Sequence, residues 1–314
     1  MRLLSPTDVR SLLAAHDLRP SRALGQHFLA DPNTARRIVR LAGVGPGDRV
    51  LEIGAGVGSL TVALAEAVSP GGEVLALELD RHLVPILREV VADVPAVRVV
   101  QGDALTVDYG RLLAPAESGA SGAAWTMVSN LPYNIATPLL ARLLEEVPAL
   151  RTLSVMVQKE VAERLTAPPG DRDCGAISVK VAYHATASIV GVVPPTVFVP
   201  RPKVDSAIAR FERRSEPPVD VPSAEALFAL ARAGFAQRRK TLRQSLKALL
   251  GSKVEEVLAT AGIAPMTRAE AVTLDEWAAL TRAAALAADP AGASSPDSGA
   301  AVSPRTDLPA EGGP

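Results

Sequence analysis

A short apolar strand pattern that ends in three closely spaced glycines constrains this chain more than any other feature. Residues 51–60 read LEIGAGVGSL, so a predicted strand enters a turn at Gly54, Gly56 and Gly58, and an apolar helical pattern follows. Glycine lets a backbone turn tightly and approach a ligand closely, because it has no Cβ in the way. This strand–turn–helix unit predicts a nucleotide-type binding loop at the carboxyl edge of a parallel sheet.

Five strand patterns, the one above included, alternate with helical patterns through the first half of the chain. They are predicted at residues 49–54, 72–80, 97–103, 125–133 and 153–158. Strands and helices that alternate at this spacing predict βαβ units, and therefore a parallel sheet with helices on both faces. Asp31 and Pro32 favour the start of a helix, as its N-cap and its first helical residue. The predicted fold class is α/β and Rossmann-like.

Length and local composition divide the chain into four predicted parts. Its 314 residues suffice for one large domain and a smaller one. No strand pattern follows residue 217, and the last residues are rich in Pro, Gly, Ser and Ala, which is typical of disorder. The parts are an N-terminal extension at 1–21, the Rossmann-like domain at 22–214, an all-helical domain at 215–287 and a disordered tail at 288–314.

Composition argues against several other kinds of protein. No run reaches the 18 or more apolar residues of a membrane span, and the start of the chain lacks the pattern of a secretory signal. The single cysteine, Cys174, excludes an internal disulfide, and the four histidines have no metal-ligand spacing. We therefore expect a cytoplasmic protein with no membrane partner and no metal. The net charge of −1 neither indicates nor excludes a nucleic-acid partner.

Two acidic residues follow neighbouring strand patterns and indicate the kind of ligand. Glu78 lies twenty residues after Gly58, where a carboxylate can accept hydrogen bonds from both ribose hydroxyls of a nucleoside. Asp103 ends the next strand and can accept from an adenine amine. Either acid alone would also suit a helix cap. Ser59 stands where a dinucleotide fingerprint has Gly or Ala, so the combination favours an adenosyl cofactor.

Residues 130–133, Asn-Leu-Pro-Tyr, carry the predicted chemistry at the end of the fourth strand pattern. An adenine amine is a poor nucleophile, because its lone pair is delocalised into the ring. Acceptors such as the Asn130 side chain and the Leu131 backbone can draw that lone pair toward a methyl donor. Pro132 has no N–H to compete with these acceptors, and Tyr133 offers a face on which a base can stack.

Together these motifs resemble those of the ribosomal RNA adenine N6-dimethyltransferases, over about residues 21–287. The shared motifs are LGQHFL (24–29), EIGAGVGSLT (52–61), ELD (78–80), GDAL (102–105), NLPYNIATPLL (130–140), MVQKEVAERL (156–165), PPTVFVPRPKVDSA (194–207) and FAQRRKTLRQSL (235–246). The resemblance implies a class I S-adenosylmethionine-dependent methyltransferase domain with a smaller all-helical C-terminal domain. It is greatest to the small-subunit (16S) type, which dimethylates two adjacent adenosines near the 3′ end of the RNA during ribosome biogenesis.

The resemblance also implies roles for individual residues. The implied S-adenosyl-L-methionine positions are His27, where the family often has asparagine, Leu29, Gly54, Glu78, Asp103 and Asn130. The target base is expected between Tyr133 and Phe198, with Asn130 and Leu131 as the catalytic acceptors. The implied partner is small-subunit ribosomal RNA in an immature 30S particle, and the enzyme is expected to act as a monomer.

A basic segment suggests where the RNA binds. Residues 235–247 contain five cations in thirteen positions, while their leucines recur at helical spacing. A solvated helix face commonly has the same pattern, and it is the resemblance that favours phosphate contacts. The predicted RNA-binding residues are Arg201, Lys203, Arg238, Arg239, Lys240 and Arg243.

Three other functions are compatible with parts of the pattern. One is a large-subunit adenine methyltransferase of the macrolide-resistance type, which shares the cofactor motifs. Another is a non-catalytic RNA-binding factor of ribosome assembly with the same fold. It is opposed by the intact site residues Glu78, Asp103, Asn130 and Tyr133. The third is a nicotinamide oxidoreductase, which Ser59 and the NLPY segment disfavour.

Overall fold

A seven-stranded sheet organises the first two thirds of the chain. The computed structural model describes residues 2–21, 25–114, 124–132, 135–237 and 239–288. The strands in those residues are β1 (Phe28–Leu29), β2 (Arg49–Ile53), β3 (Glu73–Glu78), β4 (Val97–Gln101), β5 (Trp125–Asn130), β6 (Leu150–Gln158), β7 (Ala185–Val193), β8 (Phe198–Val199) and β9 (Ser206–Arg213). The main sheet has the order β4-β3-β2-β5-β6-β9-β7, and β1 pairs separately with β8.

Helices cover both faces of this sheet and dominate the described residues after it. They are α1 (Pro6–Ala15), α2 (Pro32–Ala42), α3 (Ser59–Val68), α4 (Leu83–Val90), α5 (Tyr109–Leu112), α6 (Ala136–Glu146), α7 (Lys159–Thr166), α8 (Ala176–His184), α9 (Ala224–Phe235), α10 (Leu242–Ser245), α11 (Lys247–Leu250), α12 (Val254–Thr260) and α13 (Leu274–Ala288). Strand β2 sends Leu51 and Ile53 into the apolar core on one face and Val50 into the core on the other. The α/β prediction is confirmed.

The five predicted strands are present as β2 to β6, and they are parallel. The predicted start of α2 is also present, because the Asp31 carboxylate accepts a 2.6 Å hydrogen bond from the Thr34 backbone N–H. Four strands were not predicted: β1, β7, β8 and β9. Strand β9 runs antiparallel to both β6 and β7. The sheet is therefore mixed, with a parallel part that positions the carboxyl ends of β2 to β5 along one edge.

The first helix packs beside the glycine-rich turn. Val9 and Leu13 of α1 are buried in a cluster with Phe28, Val57 and Ile86. The Ser5 side chain caps α1 and accepts a hydrogen bond from the backbone N–H of Asp8. The segment before residue 22 therefore packs against the glycine-rich turn.

The helices after residue 223 share an apolar cluster with α8. Cys174, Val179 and Tyr183 are buried in it together with Phe228 and Trp277. No strand lies in the described residues after Arg213. Within the basic segment 235–247, α10 covers only Leu242–Ser245, and Arg239 and Lys240 lie in the turn before it. Helix α11 begins at Lys247, and its Leu249 is 50% exposed.

Neither a membrane-spanning helix nor a metal-binding cluster occurs in the part of the chain that the structure describes. No helix there has the length and apolar character that crossing a membrane requires. No group of three or more His, Cys, Asp or Glu side chains there is arranged to hold a metal ion.

Candidate active site

A cavity opens at the carboxyl ends of β2, β3, β4 and β5. It is lined by all six residues that the sequence predicted for the cofactor: His27, Leu29, Gly54, Glu78, Asp103 and Asn130. Gly54, Glu78, Asp103 and Asn130 meet because parallel strands end at the same edge of the sheet. The segment with His27 and Leu29 reaches the cavity through the separate pairing of β1 with β8. The structure thus brings the predicted cofactor positions together around one space.

The glycine-rich turn lines this cavity. Gly54 and Gly56 have φ values of +73° and +59°, in the left-handed region that favours glycine. A Cβ on Gly56 would lie 3.0 Å from Cδ1 of Phe28, so a side chain there would also push against the neighbouring segment. Both positions require glycine for backbone geometry, and Gly56 requires it for space as well.

Glu78 holds the turn against the end of β3. One carboxylate oxygen accepts a 2.7 Å hydrogen bond from the Gly56 N–H, and the other accepts a 2.9 Å bond from the Asp80 N–H. The side chain is buried, which raises the pKa of Glu78, while the two backbone N–H groups act in the opposite direction. A carboxylate has about four acceptor sites, so Glu78 can hold the loop and still accept from a ribose hydroxyl.

Asp103 lies on a loop that is fixed from behind. Its Oδ1 accepts a 2.8 Å hydrogen bond from the Leu105 N–H. The carbonyl oxygen of Ala104 accepts from the Tyr109 hydroxyl at 2.8 Å and from the Arg142 guanidinium at 3.2 Å. These bonds hold the loop in place, and Asp103 lines the cavity.

Glu52 is a cavity residue to which sequence reasoning assigned no role. It is fully buried on β2, and burial raises its pKa to about 8, with the nearby negative charge of Glu78 adding to the rise. At neutral pH the uncharged acid therefore predominates. Its Oε2 and the Ser59 hydroxyl have no hydrogen-bond partner in the structure. The detectable signal was an acid inside an otherwise apolar strand, Val-Leu-Glu-Ile.

Asn130 ends β5, lines the cavity and has a defined side-chain orientation. Its Nδ2 donates a 3.0 Å hydrogen bond to the His27 backbone carbonyl. Because a carbonyl can only accept, this bond assigns the amide nitrogen to the His27 side and turns the acceptor Oδ1 away from it. Sequence reasoning predicted the acceptor, and the structure adds the group that orients it.

The other predicted catalytic residues differ in their surroundings. The Leu131 side chain is buried, so only its backbone can serve a substrate. Phe198 is 3% exposed in an apolar cluster that includes Leu29, and it does not line the cavity. Tyr133 lies outside the described residues.

The predicted RNA-binding residues are mostly solvent-exposed. Arg201, Lys203, Arg239 and Lys240 are exposed. The Arg243 guanidinium lies 2.6 Å from a carboxylate oxygen of Glu255, so its charge is partly compensated within the protein. Arg238 lies outside the residues whose side chains the structure describes.

Comparison with known proteins decides between the possible families. The profile of the family described as "Ribosomal RNA adenine dimethylase" matches residues 18–285. The chain belongs to this family. Membership implies S-adenosyl-L-methionine as the methyl donor and makes the chain an enzyme that methylates ribosomal RNA adenine.

Relatives and solved structures agree with this membership. Ribosomal RNA small subunit methyltransferase A of Nocardia farcinica is 47% identical over 91% of this chain and 96% of its own length. The protein of the same name from Pelotomaculum thermopropionicum is 44% identical over 88% and 95%. The structure of the 23S rRNA methyltransferase ErmE is 29% identical, with a TM-score of 0.60 over 82% of this chain and 99% of ErmE. A dimethyladenosine transferase from Plasmodium falciparum, 23% identical with a TM-score of 0.62 over 81% and 96%, shares the fold.

The cavity fits this cofactor on the chemistry of its lining. The buried Glu52 Oε2 and Ser59 hydroxyl lack partners, and buried polar atoms are rarely left unpaired once a ligand or water is present. A ligand with polar ends would supply those partners, while Glu78 and Asp103 offer acceptors for a nucleoside. Glu78, Asp103, Gly54 and the 27–29 segment are therefore the residues that would hold the cofactor.

Proposed function

We propose that this protein transfers methyl groups from S-adenosyl-L-methionine to the N6 amines of two adjacent adenosines near the 3′ end of small-subunit (16S) ribosomal RNA. The observation that carries the proposal is Asn130, which lines the cofactor cavity and whose amide nitrogen is held by the His27 carbonyl, so that its oxygen is left as an acceptor. The small-subunit assignment is supported by relatives of that name at 44–47% identity across nearly their whole length.

The protein's own contribution to the reaction is positioning and electrostatics. The cofactor, when bound, supplies an electrophilic methyl on a sulfonium. Asn130 Oδ1 and the Leu131 carbonyl accept from the two N–H groups of the target amine and draw its lone pair out of the ring. No strong base is needed before transfer, because the methylated amine is cationic and loses a proton readily. Tyr133 is proposed to stack its ring on the base. Phe198 is buried in this structure, so its proposed place on the other face of the base requires residues 198–199 to move when the RNA binds.

The large-subunit alternative has one observation in its favour, the fold shared with ErmE over 82% of this chain. The identity to ErmE is 29%, against 44–47% to the small-subunit relatives. A non-catalytic binding factor would not need an oriented Asn130 acceptor beside a nucleoside site. The identity values favour the small-subunit substrate, and the oriented Asn130 favours a catalyst.

The function is tested by transfer of labelled methyl groups to under-methylated small-subunit particles, followed by mass mapping of the RNA. Two adjacent dimethyladenosines near the 3′ end are expected, and large-subunit particles serve as the control substrate. Label that appears only in large-subunit RNA would overturn the substrate assignment. Binding to small-subunit particles without any transfer would identify a non-catalytic factor.

The proposal extends to the oligomeric state, the RNA particle that is methylated and the cellular location. We infer that the protein acts in the cytoplasm as a monomer on an immature 30S particle. The helical segment 215–287 is proposed as its RNA-binding domain, since it carries the exposed Arg239 and Lys240. Light scattering of the free protein and of its complex with the particle measures both stoichiometries.

Replacing Arg201, Lys203, Arg239 and Lys240 with alanine is expected to weaken RNA binding and to flatten its dependence on salt. The slope of log K against log salt should fall by about 0.7–0.9 for every phosphate that is no longer neutralised. Cofactor affinity should stay the same, because none of the four residues lines the cavity. Filter binding across a salt series, with calorimetry for the cofactor, measures both quantities.

A matched control removes exposed cations that already have acidic neighbours. Arg2 is 83% exposed beside Asp8, and Arg172 is 90% exposed beside Asp173. Their double alanine variant should keep the parental slope. An unchanged slope in the fourfold variant would mean that the RNA docks on another face. Arg243→Ala should have a smaller effect than Arg239→Ala, since Glu255 shares its charge.

A further inference from the structure

The segment at 25–29 connects two parts of the site that are far apart in sequence. Its residues line the cofactor cavity, and the Gln26 side chain donates a 3.0 Å hydrogen bond to Asp80 at the end of β3. The backbone carbonyl of His27 receives the Asn130 amide. On its other side the segment pairs as β1 with β8, where Phe28 faces Val199 and Leu29 faces Phe198.

The His27 ring extends this pairing by one further contact. Its Nδ1 lies 2.8 Å from the Pro200 carbonyl oxygen. Because that oxygen can only accept, Nδ1 must carry the proton. Pro200 is followed by the exposed Arg201 and Lys203. The bond therefore holds the start of residues 200–203 against the segment at 25–29.

We propose that His27 is a positioning residue that joins the two substrate sites, its carbonyl orienting Asn130 and its ring holding the 200–203 segment for the incoming RNA. The proposal rests on the proposed function and deepens it. His27 lines the cofactor cavity and its ring also reaches the Pro200 carbonyl, so one residue borders both substrate sites. Both contacts are made by one residue, so a movement of residues 200–203 is transmitted to the Asn130 amide through His27.

The chemistry of the link specifies which side chains can replace His27. The bond requires one N–H donor two bonds beyond Cβ, at the place of Nδ1. The asparagine amide nitrogen is two bonds from its own Cβ and can occupy that place. Leucine has a similar volume and the same branching position but no donor. His27→Asn should therefore preserve the link, and His27→Leu should remove it without creating a large cavity.

The test compares His27→Leu and His27→Asn with the parental enzyme. His27→Leu is expected to lower kcat/KM for small-subunit particles about tenfold, the upper range for loss of one neutral hydrogen bond, mainly through KM. It should also weaken RNA binding by the cofactor-free protein. Cofactor affinity, measured by calorimetry, should change by less than the RNA KM. His27→Asn should restore most of the RNA affinity that His27→Leu loses.

A spectroscopic measurement on the unmodified protein tests the link independently of catalysis. Nitrogen-15 NMR should show the His27 Nδ1 protonated, either in the neutral ring or in the imidazolium. A neutral ring protonated only at Nε2 would overturn the proposal, as would a folded His27→Leu with parental RNA affinity and KM. If the parental enzyme methylated no small-subunit RNA, the proposed function would be wrong. The NMR result and the RNA affinity would still test the hydrogen bond between His27 and Pro200.

Discussion

Asn130→Ala is expected to lower kcat for methyl transfer by about 100-fold or more, comparable to removing one preorganised polar group from an active site. The Oδ1 acceptor matters most when the target amine becomes nucleophilic, so its loss should affect the transition state more than substrate binding. RNA affinity should change little, because it depends mainly on phosphate contacts. Single-turnover transfer to under-methylated small-subunit particles measures the rate.

Asn130→Asp separates the two functions of the amide. It keeps acceptor oxygens at the same place but removes the Nδ2 donor that binds the His27 carbonyl. An activity between those of the alanine variant and the parent is expected, since the acceptor remains but is no longer anchored. If Asn130→Ala transferred methyl groups at the parental rate, the NLPY segment would be a structural turn and the active site would lie elsewhere.

Glu78→Ala is expected to weaken binding of S-adenosyl-L-methionine by about 100-fold or more, since charge-assisted hydrogen bonds are each worth about 1.5–3 kcal/mol. The ribose loses its carboxylate acceptor. The Gly56 and Asp80 N–H groups also lose the acceptor that holds the glycine-rich turn to β3. Calorimetric titration of the cofactor, with thermal unfolding to verify the fold, measures the loss.

The same strand offers a matched control. Glu73 begins β3 at the amino end of the strand and forms a partly exposed ion pair with Arg49 at 3.1 Å. Neither residue lines the cavity, so Glu73→Ala should leave cofactor affinity within about twofold of the parent. Parental affinity in a folded Glu78→Ala protein would exclude the ribose role of this carboxylate.

The parallel half of the fold could be predicted because its signals are local. Each of β2 to β6 is a short apolar run near helical patterns, and parallel pairing then brings Glu78, Asp103 and Asn130 to one edge. The glycine-rich turn was equally predictable, since the positive φ values at Gly54 and Gly56 require that residue type. For these elements sequence pattern and tertiary structure agree.

The antiparallel strands were missed because no local signal marks the start of β7, although Pro194 directly follows its end. Helix α8 ends at His184 and β7 begins at Ala185, without a glycine or proline between them. The residues across this junction are apolar and β-branched enough to suit either structure, so pairing with β9 decides. Strands β1 and β8 have two residues each and exist only through their mutual pairing.

Contacts between distant residues set the remaining geometry of the site. The bond that orients Asn130 comes from a residue 103 positions earlier, and the bond from His27 to Pro200 spans 173 positions. A motif indicates which side chain carries the chemistry. It does not indicate which backbone carbonyl will face that side chain after folding.

The apolar cluster shared by α8 and the C-terminal helices has a consequence for chemical labelling. The chain's one cysteine, Cys174, lies in this cluster, and burial raises the pKa of its thiol to about 11. Only the thiolate reacts readily with alkylating reagents, so the packed protein shields this sulfur both sterically and chemically. The alkylation rate of Cys174 therefore reports how often the helices separate from α8, and a cysteine introduced at an exposed position can be labelled selectively.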